Sequence, residues 1–320
     1  MEEFLKIFPR LPDSEIAGRL RRIPGIADVV LDTDTFNSID DQYALAYLVN
    51  STEAVRVRAI YAAPFWSDPA WNRPVSSDSP ADGMQKSYDE ILKVLSLMGK
   101  PELASLVYRG SDRYLPDALT PVDSPAARHL VSLSREYTSD HPLYIVELAC
   151  PTTVSSALLM DPTLRERVVV VWLGGHGHHF GTCDDFNCRQ DLASSRILFT
   201  SGVPLVQLPL LGVISHFSFC KPELEQLFRN RNALCDYLID STFAFAKKKF
   251  DYEYWTKPLW DICVSAWAVN PGFFESRIVT APTPQADNTY SFPAGNPPLC
   301  YVYYVHKDPL VRDLVFKLSR

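Results

Sequence analysis

Between Asp32 and Asp41 the chain carries four aspartates in ten positions, DTDTFNSIDD. Carboxylates gathered this densely repel, and they raise one another's pKa unless a cation neutralises them. Hard oxygen donors in such number suit a divalent ion. Helix capping explains one or two aspartates at such a turn but disfavours a cluster, so the four together point to metal or acid–base chemistry. Asp261, at the head of an apolar run beginning at Trp260, is a candidate fifth donor, with an N-cap as its structural alternative. A second polar segment, Gly174 to Asn187, holds His176, His178 and His179. One loop rarely closes a zinc site by itself, and no thiolate pair accompanies these histidines. Gly174-Gly175 lacks the following Lys-Ser/Thr of a phosphate cradle.

The surrounding pattern predicts elements that present these residues together. Val29-Val30-Leu31 reads as a buried strand, and Ala44, Leu45, Tyr47 and Leu48 carry helical spacing. Ser38 and Asp41 have the form of a capping box, which would put Asp40 and Asp41 in the first helical turn. Asp32 and Asp34, at the strand's carboxyl end, would then face the same crevice. Further along, strands are expected at 55–61, 106–108, 143–148, 168–173, 205–208 and 301–305. Helical patterns lie between them, including one long amphipathic stretch over 222–249. Strands alternating with helices predict a single-domain α/β fold with an open, mostly parallel, doubly wound sheet, which binds ligands at its strands' carboxyl ends. Residues 1–26 read as an N-terminal arm and 27–320 as the domain that carries these residues. The loop with Trp66, Pro69, Trp71 and Pro74 has the composition of either a lid or a packed connector.

Composition narrows the partners. The chain has 320 residues, 47% of them hydrophobic, which is enough for a full core. A net charge of -7 without a basic run argues against nucleic acid. Seven cysteines without C-x-x-C spacing fit a reducing compartment, and no segment has signal-peptide or membrane-spanning character, so cytoplasm is expected.

Five features coincide: Asp32-Thr-Asp34 after a strand, Asp40-Asp41 opening a helix, the joint at Leu148, Asp185-Phe186-Asn187 with Asp191 following, and Trp260-Asp261 before an apolar helix. Their order resembles the inosine-uridine-type nucleoside hydrolases, calcium-dependent enzymes that cleave the N-glycosidic bond of ribonucleosides. The resemblance implies Asp34 as general base and metal ligand, with Asp41, Asp261 and the Leu148 carbonyl completing a Ca2+ site. It implies Asp40 on a ribose hydroxyl, Asp32 as a buttress, and Asn187 with Asp185 on the sugar. A small ribonucleoside is the implied partner, and association into a homo-oligomer is left open.

The departures lie around the first motif and the leaving group. Thr35-Phe36-Asn37-Ser38-Ile39 replaces the shorter Pro-Gly-x of the family's first motif. Asp185 stands for a Glu, Trp66 for an Asn, and Trp260 for a His that protonates the base in some members. Trp66 and Trp260 are therefore expected to line the base, Asn37 to replace a lost hydrogen bond, and His178 or His179 to contribute a proton. Two other classes stay open. One is a ribose- or nucleoside-binding protein without turnover. The other is a haloacid-dehalogenase-type phosphatase working on Mg2+, whose aspartate nucleophile motif the run Leu31-Asp-Thr-Asp-Thr35 resembles.

Overall fold

The computed structural model describes residues 2–67 and 75–320, so Pro69, Trp71 and Pro74 of the loop read as either a lid or a packed connector lie outside the described residues. Eight strands form the central sheet: β1 (Ala27–Thr33), β2 (Val55–Ala62), β3 (Val107–Arg109), β4 (Leu143–Glu147), β5 (Val168–Leu173), β6 (Leu205–Leu208), β7 (Phe274–Thr280) and β8 (Pro298–Val305). Their order is β3-β2-β1-β4-β5-β6-β8-β7. All neighbours run parallel except β7, which is antiparallel to β8. The expected open α/β sheet is therefore present. β4 and β5 are buried along their whole length, as strands covered on both faces must be.

Winding reverses between β1 and β4, and a crevice opens at the carboxyl ends of strands at such a point. Asp32 of β1 pairs in register with Glu147 of β4, directly across it. Helices Asp40–Asn50 and Trp260–Val269 pack against each other, and each begins at this end of the sheet. The second helix is apolar on every side and almost wholly buried. Burial on all faces is what lets it reach the interior and carry Asp261 there.

Two local readings are corrected, and one strand left no signal in the sequence. Ser38 does not cap the first helix: Ile39 is the N-cap residue, and the Ser38 hydroxyl instead donates to Asp40 at 2.5 Å. The stretch 222–249 is two helices, Lys221–Phe228 and Ala233–Lys249. Asn230 adopts a left-handed φ of 61° and Asn232 caps the second helix, so the chain turns where periodicity alone ran on. The edge strand β7 went unread because most of its side chains are exposed, which removes the apolar alternation that marks a strand.

Candidate active site

Asp40, Asp41 and Asp261 are each buried and offer carboxylate oxygens that all lie within 4.8 Å of one another. Burial raises the Asp41 pKa to about 7, with repulsion from Asp40 adding to it, while a 2.6 Å hydrogen bond from Thr33 opposes the shift. Asp261 is pushed well above its ordinary value by burial and then by the charges of Asp40 and Asp41. Asp34, buried one residue beyond β1, lies within electrostatic reach of Asp261 and Glu147. Asp32 sits behind, beside Glu147, and burial raises it to about 7.

Asp40 behaves differently because of Lys257, which the sequence reading missed. The Lys257 ammonium is buried, donates to Asp40 Oδ1 at 2.8 Å and to the Pro258 carbonyl at 2.7 Å, and lies 4.5 Å from the Trp260 ring centre. Burial pushes Asp40 up, but attraction to Lys257 with its hydrogen bond, and that of Ser38, holds it below its ordinary value. A lone Lys among aromatics just ahead of Trp260 was the only available signal. Breaking a buried ion pair costs about 3–5 kcal/mol. Lys257→Met is therefore expected to lower the melting temperature clearly in calorimetry, and an unchanged melting temperature would show that Asp40 finds another partner.

Asn37 is buried, and its Oδ1 has no hydrogen-bond partner among the described residues. Asn187 donates to the carbonyls of Leu148 at 2.7 Å and Leu173 at 3.0 Å, tying the ends of β4 and β5. Both N–H groups of its amide are thereby used, which leaves Oδ1 for a ligand. Asp185 accepts backbone N–H groups of Gly175 at 2.6 Å and Asn187 at 2.9 Å, so it shapes its own loop. Trp260 Nε1 donates to Ser215 at 3.3 Å. His178 Nε2 meets Gln207 at 2.9 Å and its ring lies 4.2 Å from that of Tyr301, while burial lowers its pKa. His179 packs on Phe180. The phosphatase reading fails on two counts. Asp184 is exposed and paired with Arg189 at 3.0 Å, so it cannot complete the acidic pair such a site needs. Phe36 also stands where the D-x-D-x-T motif carries its threonine.

A family profile described as inosine-uridine preferring nucleoside hydrolase matches residues 76–294. The chain belongs to that family. As a nucleoside hydrolase it is an enzyme of N-riboside hydrolysis. The match starts beyond Asp41, so the aspartate motif of the first strand and helix is an observation independent of it. A comparison with curated proteins finds no match. Among solved structures, a plant nucleoside hydrolase, the PpNRh1 enzyme, is similar at 18% identity and TM-score 0.70, covering 92% of this chain and 99% of that one. A purine-preferring ribonucleoside hydrolase from Gardnerella vaginalis is similar at 19% identity and TM-score 0.69, covering 91% and 98%. The type III effector protein XopQ, complexed with adenosine diphosphate ribose, is similar at 16% identity and TM-score 0.62, covering 97% and 99%. These likenesses show a shared fold. No helix among the described residues is long and apolar enough to cross a membrane.

Proposed function

We propose that this chain hydrolyses the N-glycosidic bond of a ribonucleoside or related N-riboside with Ca2+ as cofactor, releasing ribose and base. The observation that carries this reading is the meeting of Asp40 and Asp41 with Asp261, buried at the switch point of the sheet. The donor set fits the ion: every candidate is a hard oxygen, and the buried carboxylates raise one another's pKa, as an unneutralised cluster must. Asp34, Asp41, Asp261 and the Leu148 carbonyl would hold it. Lys257 and Ser38 occupy Asp40 Oδ1, which favours Asp40 for a sugar hydroxyl over metal ligation. When bound, the ion supplies Lewis-acid chemistry that lowers the pKa of a water.

The protein's own groups do the rest. Asp34 accepts the proton as water adds to the anomeric carbon, and the electrons of the breaking C–N bond leave with the base. Nearby carboxylates stabilise the positive charge that develops on the sugar. Asp32 buttresses the cluster, and Asn187, Asp185 and Asn37 arrange the sugar. Trp66 and Trp260 shape the base side, and the leaving base takes its proton from His178, His179 or solvent. Residues 27–320 form the catalytic unit, with 1–26 as an arm. The seven unpaired thiols fit a reducing cytoplasm.

Ribose release across a nucleoside panel, with and without Ca2+, tests the reading. Release that disappears with a chelator is expected. Metal-dependent ribose binding without release from any nucleoside would instead establish a binding protein. Replacing both His178 and His179 by Ala should slow a natural nucleoside while sparing one with a pre-activated leaving group. Equal damage to both substrates would assign the loop to the sugar.

A further inference from the structure

Gln190 has no role in the chemistry above, yet it ends the short helix Phe186–Gln190 that carries Asn187. Its side chain takes both backbone polar groups of Trp66: Oε1 accepts the N–H at 2.8 Å, and Nε2 donates to the carbonyl at 2.8 Å. The Tyr114 hydroxyl donates to the same Oε1. Tyr114 belongs to the loop after β3 and lies within electrostatic reach of Asp34. The next residue, Asp191, accepts from the Leu115 N–H at 2.9 Å and the Thr152 hydroxyl at 2.7 Å. Two adjacent side chains thus join the loops that follow β2, β3, β4 and β5.

The Trp66 backbone is also fixed from its other sides. Ser77 Oγ donates to the Phe65 carbonyl at 2.9 Å and accepts from the Ser67 N–H at 3.1 Å. Gly83 approaches so closely that a Cβ there would lie 1.9 Å from the Phe65 carbonyl oxygen. Backbone held this firmly leaves the half-buried Trp66 little freedom beyond its own ring.

We infer that Gln190 is a positioning residue that locks Trp66 and Tyr114 into one wall of the crevice at the strands' carboxyl ends and thereby sets affinity for the aglycone, a flat aromatic base. The inference rests on the riboside reading and adds to it a residue that touches neither ribose nor metal. Gln190→Met keeps the side chain's length and removes its hydrogen bonds. Inosine and free ribose are the probes, in Ca2+, with affinity read as KM or inhibition constant where inosine is cleaved and as Kd by calorimetry where it is not. Inosine affinity is expected to fall about tenfold, the upper end of what a well-placed aromatic contact contributes, with ribose affinity within about twofold of the parent. Tyr114→Phe should shift the ratio in the same direction by less, and it carries the comparison should Gln190→Met not fold. An unchanged inosine affinity, or equal losses for both probes, overturns the inference. A parent that binds inosine without cleaving it overturns the hydrolase reading alone, and one that binds neither probe overturns both.

Discussion

Asp34→Asn is expected to abolish most hydrolysis while the protein still folds. Asn has nearly the same shape, and its neutral amide removes one charge from a cluster whose members already repel. An amide cannot take the proton that leaves the attacking water. General-base assistance is worth about a hundred- to ten-thousand-fold, and a loss in that range is the expected reading of kcat. Because Asp34 is also a proposed ligand, kcat is compared at saturating Ca2+, with bound metal measured by calorimetry on the same sample. A variant that keeps most of its turnover with metal bound would assign the base to another carboxylate.

Metal removal should make stability fall as pH rises. In the fold Asp32 and Asp41 titrate at about 7, against 3.8 ordinarily, because burial disfavours their charged forms. Between those two values the folded chain holds protons that the unfolded chain has released. Stability therefore falls with rising pH across that window and levels off above it. A divalent ion takes the place of those protons, so its binding should release protons and flatten the slope. Melting temperatures from about pH 5 to pH 8, with chelator and with Ca2+, measure this, and the buffer dependence of the calorimetric enthalpy counts the protons. A flat metal-free profile would mean that the carboxylates are neutralised by the protein itself. Asp41→Asn should bind Ca2+ more weakly, and undiminished affinity would remove Asp41 from the ligand set.

The strand, the aspartate turn and the following helix were legible in the sequence because each depends on neighbours a few residues away. Apolar spacing marked Ala27–Thr33 and Asp40–Asn50, and the density of carboxylates between them marked the chemistry. Asp261 was legible only as a candidate, since a helix-leading aspartate is equally an N-cap. Lys257 was marked only as a lone Lys among aromatics, and Gln190 was not legible at all. Lys257 matters through a partner 217 positions away, and Gln190 through one 124 positions away. Hydrophobic periodicity states which face of an element is buried but not what it is buried against. The sequence by itself determined the donor types and the short strand-to-helix stretch that carries Asp32, Asp34, Asp40 and Asp41. Only the tertiary structure decided that Asp261 completes the cluster, that an ammonium diverts Asp40, and that one glutamine ties the loops together, because helix packing and sheet order set those distances.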